Sequence, residues 1–508
     1  MTRKSFCEKR RPGDSRPPAR RGCCLVALAM FGAAAGCGKT PAPSNDPPLA
    51  LAPAVQPSAA TGDDAPEAAH SVDSPADRQQ IMPAVAPASA AAEPIFRPDD
   101  RRPQHNDAQL AAVGIRKFES ERLRLYTDID PERARPLPML TDRLYEALED
   151  YFGPMPKDRA ATEFQMTGYL IKDLALFRET GLVPEDLPTF EHGRHRQNQF
   201  WLRDQEYDYY RAHLLLHEAT HSFMTYMPDT QSPVWYLEGM AEWFATHRNL
   251  ADGGVQFRIM PLAPEEVAGW GRITLIRQQF AKDAAKSIGD IFALGPLEFF
   301  QPENYAWSWA LCMFLSEHPR YGDRFRVLGR EARGAGFTRR FAREFEPDMA
   351  ELAVEWRLFV VNLQYGYDIP RAAIEFRPGE LLAGQPRDCV VESGRGWQSS
   401  TVAVEAGKKY QVTAKGQVVL AQEPKPWISE PAGVSIDYFD GYPIGRLLGC
   451  ILPNDPGQLE SMLRVLPIGA EKEFSAPVTG TLYLRVNDAW NRLRDNQGEY
   501  QVTIHHVD

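Results

Sequence analysis

HLLLHEATHSFM, residues 213–224, decides how this chain is read: three histidines recur at four-residue intervals in an otherwise apolar stretch, and a glutamate follows the middle one. Positions i and i+4 share one face of a helix. His217 and His221 of His217-Glu218-Ala219-Thr220-His221 therefore project the same way, with Glu218 beside them. The pattern predicts a helix that brings two imidazoles to one metal ion and sets a carboxylate next to it. Catalytic zinc takes three protein ligands and keeps one position open, so a third ligand is required. His213 continues the same face, but at roughly 12 Å along the helix from His221 it is too far to share the ion. It is expected to be a buried, hydrogen-bonded neighbour.

Working outward, WYLEGMAEWFATH (235–247) places Glu238 and Glu242 four apart on a second expected helix. The two helices are near enough in sequence to form an antiparallel hairpin across a metal. Spacing alone leaves either glutamate as the third ligand. His247 reads either as a neighbour of the site or as a surface residue, with the surface reading slightly preferred. QFWLRDQ (199–205), just before the histidine helix, reads as a short strand and is expected to be either an edge on which an extended peptide could lie or an interior strand.

The HExxH pentapeptide together with Trp235-x-x-Glu238-Gly239-x-Ala241 resembles the gluzincin peptidases, the thermolysin and aminopeptidase N class, and most of all the aminopeptidase branch. That resemblance implies zinc held by His217, His221 and Glu238, with Glu242 as a carboxylate that orients a zinc histidine. It implies Glu218 as the general base toward a water that zinc acidifies. It also implies a tyrosine that steadies the oxyanion; Tyr305, opening the segment ENYAWSWALCMFL, is the candidate, against a simple packed aromatic beside Trp307 and Trp309. The His221 to Glu238 spacing of 17 residues is shorter than usual for the class. The wider stretch, from YTDID through DYYRAHLLLHEATHSFM to EGMAEWFATH, is similar to a group of bacterial exported gluzincin-like proteins.

Around this centre, RLRLYTDI (122–129) and FQMTGYLI (164–171) read as strands, TDRLYEALEDYFG (141–153) as a helix, and 302–318, 321–333 and 347–364 as further helices. After residue 375 the texture changes to short alternating runs, WQSSTVAVEAGKKYQVTAKG, VSIDYFDG, GTLYLRVND and GEYQVTIHHV, separated by turn residues. The expected architecture is therefore multidomain: an α+β, zincin-like and mainly helical catalytic domain over 106–375, then an antiparallel β-sandwich over 376–508.

LRVNDAWNRLRDNQGEYQVTI (484–504) gathers oxygen donors between two of those runs. Asp488, Asp495 and Asn496 with backbone carbonyls suit a hard cation better than zinc, although on composition alone a polar turn is the better reading. The pattern Asn487-Asp488-x6-Asp495-Asn496-x-Gly498 resembles the PA-I-type galactophilic lectins. The resemblance implies calcium held by Asp488, Asp495 and Asn496 and by the backbone oxygens of Leu420 and Arg492, and a carbohydrate partner. Leu420 stands where those lectins have tyrosine, and Arg492 and Arg494 crowd the loop, so galactose itself is not expected.

The N-terminus reads as an address. Residues 1–22 hold eight Lys or Arg against Glu8 and Asp14, and CCLVALAMFGAAAG (23–36) is an uncharged apolar run too short to span a bilayer comfortably. Ala34-Ala35-Gly36-Cys37 resembles a bacterial lipobox, which implies a lipoprotein signal peptide over 1–36, lipidation of Cys37 and a membrane anchor facing the periplasm or cell surface. The Ala, Pro, Ser and Asp-rich stretch 37–105 is expected to be a disordered tether. For Cys389 and Cys450 two readings stay open, a disulfide or two free thiols. The net charge of -11 excludes a general nucleic-acid binder, which needs a basic stripe. The expected activity is peptide hydrolysis on a peptide or protein substrate. The rival expectation is a non-catalytic surface protein that binds glycan through its C-terminal half.

Overall fold

The computed structural model describes residues 95–227, 232–331, 336–455 and 462–507. The signal segment, Cys37 and most of the expected tether lie outside the described residues. The packed chain begins earlier than residue 106: Arg97 is buried, donates to the Thr162 carbonyl at 2.9 Å and faces Asp158 at 3.5 Å. Asn198 Nδ2 donates to the Arg101 carbonyl at 2.8 Å. The tether was expected to run to 105 because its composition is polar, but buried ion pairs rather than apolar contacts tie down its last residues.

Five strands form the first sheet, in the order β1 (Arg116–Glu119), β2 (Leu123–Thr127), β3 (Met166–Ile171), β5 (Gln199–Arg203), β4 (Gly193–Arg196). β2, β3 and β5 run parallel, and antiparallel β1 and β4 close the two sides. The central strands are apolar on both faces, as parallel strands covered on two sides must be: every residue of β3 is buried, and Phe200, Trp201 and Leu202 of β5 are too. The expected strand QFWLRDQ is therefore an interior strand. The sheet edge is β4, joined to β5 by the two-residue turn Gln197-Asn198, where Gln197 takes φ +60°.

The histidine helix, Asp208–Tyr226, lies across this sheet with every residue from Arg211 to Met224 buried. Arg211 ties its start to the preceding loop through Asp204 at 2.5 Å. The glutamate helix, Val234–Ala245, packs on one side against the histidine helix and on the other against a third helix, Pro302–Glu317. Gly239 explains the closeness of that second contact. A Cβ there would lie 2.5 Å from both Cys312 Sγ and the Ser308 carbonyl oxygen, so only glycine lets these backbones approach so nearly.

The C-terminal elements are sheets, antiparallel except where Glu380–Leu381 pairs parallel with Gln398–Val404. One is built on Gln398–Val404, Gly480–Val486 and Leu447–Pro453, the other on Lys409–Lys415, Gln497–Val507 and Arg387–Glu392. Alternate residues of both, among them Val402, Leu482, Leu484, Val412, Val502 and Ile504, fill one shared core. Cys389 and Cys450 lie in different sheets and are free thiols, the second of the two readings left open.

The sheets meet the helical part along one seam. Tyr367 stacks on Trp490 with ring centres 5.7 Å apart, and the Asp368 amide donates to the Trp490 carbonyl at 3.1 Å. Asn491 Nδ2 donates to the Tyr365 carbonyl at 3.1 Å, and Arg494 faces Asp368 at 3.7 Å. No described helix is long and apolar enough to cross a membrane.

Candidate metal centre

Two helices present three donors to one point. His217 Nε2 and His221 Nε2 lie 3.1 Å apart, and Glu238 Oε2 is 3.1 Å from the second and 3.3 Å from the first. Zinc bonded at about 2.0–2.1 Å to a tetrahedral donor set requires donors roughly 3.3 Å apart. The triangle therefore has the size and the N2O chemistry of a zinc site with one vertex left over. All three side chains are buried or nearly so. Burial pulls the His217 imidazole down, but hydrogen bonds to Glu238 and Glu242 and their charges outweigh it and hold its pKa at about 10. Burial would raise the Glu238 carboxyl, yet the neighbouring His221 and His217 keep it well below the usual carboxylate range. The pocket thus favours positive charge, and a cation entering it displaces a proton.

Glu242 stands behind this triangle. Its Oε1 faces His217 Nδ1 at 3.4 Å, and its Oε2 faces His213 Nε2 at 3.2 Å. Arg272 grips both oxygens, Nη2 to Oε1 at 2.8 Å and Nε to Oε2 at 3.0 Å, and Trp270 Nε1 donates at 3.3 Å. A carboxylate already spoken for by a bidentate guanidinium is a poor metal ligand and a good anchor for a histidine. Of the two arrangements the spacing allowed, the geometry matches Glu238 in the triangle and Glu242 behind it. His213 is fully buried on Glu242, in the place expected for it.

Glu218 faces the other way, toward β4. Its Oε2 lies 3.6 Å from His195 Nδ1, and a Cβ at Gly193 would be 3.1 Å from its Cδ. His195 also stacks on His221, ring centres 4.7 Å apart and planes 18° from parallel. Tyr305 opens its helix with its ring centre 6.0 Å from that of His217, edge-on to Phe299 at 5.2 Å, and Arg272 lies over its face at 5.8 Å. Burial, then the charges of Glu238 and Glu218, push its hydroxyl pKa far up, so it is present as a proton donor. His247 corrects an expectation. It is 1% exposed, not at the surface: Nδ1 donates to the Ala245 carbonyl at 2.8 Å, and the ring stacks on Tyr209 at 4.8 Å.

His195, Gly193, Arg272 and Trp270 had no part in the sequence reading. The hairpin turn between GRHR and QFWLR was the available signal for β4. A lone arginine after Gly271, whose φ is +62°, offered none.

In the C-terminal loop the structure brings some expected ligands together and not others. Asp488 and Asn496 are buried, and each leaves an oxygen, Oδ2 and Oδ1, without a hydrogen-bond partner. Asp488 Oδ1 accepts from the Ala489 amide at 2.7 Å, and Asn496 Nδ2 donates to the Ser393 carbonyl at 3.1 Å. Burial pushes the Asp488 carboxyl up to about 6, partly offset by the Ala489 amide and Asn496. Asp495 is exposed. Leu420 buries its side chain in the sheet core, and the Arg492 side chain reaches Asp437 at 2.7 Å. These are two buried oxygens of the kind a hard cation takes among its six to eight ligands.

No family model matches the chain, and no curated protein matches it. Among solved structures it is similar to one described as "EclA N-terminal domain; PllA-like lectin", at 23% identity and TM-score 0.19, over 24% of this chain and 95% of that one. At that TM-score the likeness assigns neither fold nor ligand.

Proposed function

We propose that the chain is a zinc metallopeptidase of zincin-like architecture, exported and lipid-anchored at Cys37, with a C-terminal β-sandwich that holds a calcium ion. The observation that carries this reading is the triangle of His217 Nε2, His221 Nε2 and Glu238 Oε2 at 3.1–3.3 Å. A zinc ion held there supplies Lewis acidity toward water and toward a scissile carbonyl.

The remaining chemistry belongs to the chain. Glu218 accepts a proton from the attacking water at its carboxylate and returns it to the departing amine nitrogen. Tyr305 donates its hydroxyl hydrogen toward the developing oxyanion. The free side of β4 aligns an extended peptide by backbone hydrogen bonds, which reads length and conformation more than side-chain identity. Arg272 and Glu242 keep His217 aimed.

In the sandwich, Asp488 Oδ2 and Asn496 Oδ1 are the side-chain oxygens for calcium, with Asp495 at the exposed rim of the same loop. A glycan partner at that loop is the second reading, favoured by those two orphan oxygens and opposed by the burial of Trp490 and its contacts along the seam.

The test is elemental analysis of the purified protein beside the double variant His217→Ala/His221→Ala, together with cleavage by Glu218→Gln. About one zinc per chain, lost in the double variant, with cleavage lost but zinc kept in Glu218→Gln, is the expected result. A protein that takes up no zinc on reconstitution ends the peptidase reading.

A further inference from the structure

The edge strand does more at this centre than bound the cleft. β4 places Gly193 and His195 on the side that faces the histidine helix, alternate residues of a strand sharing one face. Gly193 leaves the space that the Glu218 carboxylate fills, since a Cβ there would overlap Oε1. His195 covers the outer face of His221 and points Nδ1 at Glu218 Oε2 from 3.6 Å. Its side chain remains 34% exposed to the cleft, whereas Glu218 is 8% exposed. Among the described contacts of the Glu218 carboxylate, those of His195 and Gly193 come from the strand along which substrate would lie. His217 has Glu242 behind it; His221, besides Glu238 and His217 at its Nε2, has the ring of His195 stacked on it.

Resting on the peptidase reading above, we propose that Gly193 and His195 are positioning residues for the general base. Gly193 admits the carboxylate against the strand, and His195 donates Nδ1–H to it while fixing the plane of His221. A contact of 3.6 Å is long for a hydrogen bond, and such contacts tighten when a ligand closes the site. A peptide laid along β4 covers the exposed side of His195 and shortens that contact. The base is then set in place by the same strand that receives the substrate.

Three variants of the full-length protein separate the roles. His195→Phe keeps a ring on His221 and removes the nitrogen. His195→Asn puts an amide N–H near the place of Nδ1. Gly193→Ala pushes first on the carboxylate and less closely on Leu202 Cδ2, 3.0 Å from the added Cβ. Each is measured for zinc content, for kcat and KM on a quenched-fluorescent peptide selected from a random library with the unaltered protein, and for acetohydroxamate binding to the zinc-loaded form. Acetohydroxamate chelates zinc and hydrogen-bonds a neighbouring carboxylate, so it reports the position of Glu218 without turnover.

Zinc stays at about one per chain throughout. His195→Phe and Gly193→Ala lower kcat on the order of 10- to 100-fold with KM changed by less than about threefold, and His195→Asn recovers most of the loss. In a Glu218→Gln background, His195→Phe weakens acetohydroxamate binding no further.

A phenylalanine variant as active as the parent, an asparagine variant as poor as phenylalanine, or additive losses in hydroxamate affinity would overturn the proposal. If zinc binds and no peptide is cut, the peptidase reading fails, and the hydroxamate cycle still decides for or against positioning.

Discussion

Replacing Arg272 by methionine tests whether Glu242 is a counter-ion for the centre or only a packed side chain. Glu242 is 1% exposed, and Arg272 makes two charge-assisted hydrogen bonds to it, at 2.8 and 3.0 Å. What remains after the change is one indole N–H at 3.3 Å and two histidines at 3.2 and 3.4 Å. Stripping one partner from a buried ion pair costs about 3–5 kcal/mol, because the other is left as an uncompensated charge. Removing both is far cheaper, so Arg272→Met/Glu242→Leu should recover most of the loss in urea denaturation of the metal-stripped protein. Zinc affinity should separate from stability. Glu242→Leu leaves His217 Nδ1 without its carboxylate, and loss of such an orienting group lowers metal affinity roughly 10- to 100-fold, measurable against a competing chelator. A loss below about 1 kcal/mol in Arg272→Met, set against that 3–5 kcal/mol expectation, would refute the reasoning. So would unchanged zinc affinity in Glu242→Leu.

Gly239→Ala should destabilise by about 1–3 kcal/mol through overpacking against Cys312 and Ser308, and weaken zinc binding by moving the adjacent Glu238; calorimetry and chelator competition read the two effects. His247, buried neutral with its pKa pulled down to about 4, should make the protein acid-sensitive. The unfolded chain takes up a proton near pH 6.5 and the folded chain does not, so stability falls as pH drops from about 6.5 to 4, by roughly 2 kcal/mol at pH 5 and about 3 once the folded pKa is passed. His247→Phe should flatten that slope in urea titrations between those limits; an unchanged slope would assign the loss to other groups. Calcium should raise the melting temperature, by an amount equal to about 2.7 kcal/mol at 100 times Kd, and Asp488→Asn should abolish the rise. A calcium-insensitive parent would leave the two orphan oxygens to water.

The parts of this molecule that were legible in its sequence are those governed by local periodicity. The i, i+4 spacing put His217 and His221 on one helix face and Glu238 and Glu242 on another, because helices translate spacing directly into a shared face, while the choice between the two glutamates came from the fold. The same holds for β2, β3 and β5, whose apolar runs are too short and too β-branched or aromatic for anything else. What escaped was set by tertiary contact. A glycine and three polar residues at an edge, GRHR, carry no apolar pattern, since an edge strand has little to bury. Arg272 reaches Glu242 across 30 residues. His247 is polar and near a helix end, and only the fold shows that Tyr209 covers it. The end of the tether was misplaced for a related reason: Arg97 is buried while pairing with Asp100 and with Asp158.

The seam at Tyr367 and Trp490 bears on how the protein can be taken apart. Composition invites a cut near residue 375, yet Leu363, Tyr367, Ile369 and Ile374 on one side and Trp397, Trp490 and Leu493 on the other belong to one apolar cluster and are each under 6% exposed. A fragment ending at the cut would present that strip to water, and large apolar patches of this kind drive aggregation. The two halves are thus not modules in the genetic sense. A C-terminal half from elsewhere could replace this one only if it brought its own equivalent of Trp490 to meet Tyr367, so the two segments should change together or not at all.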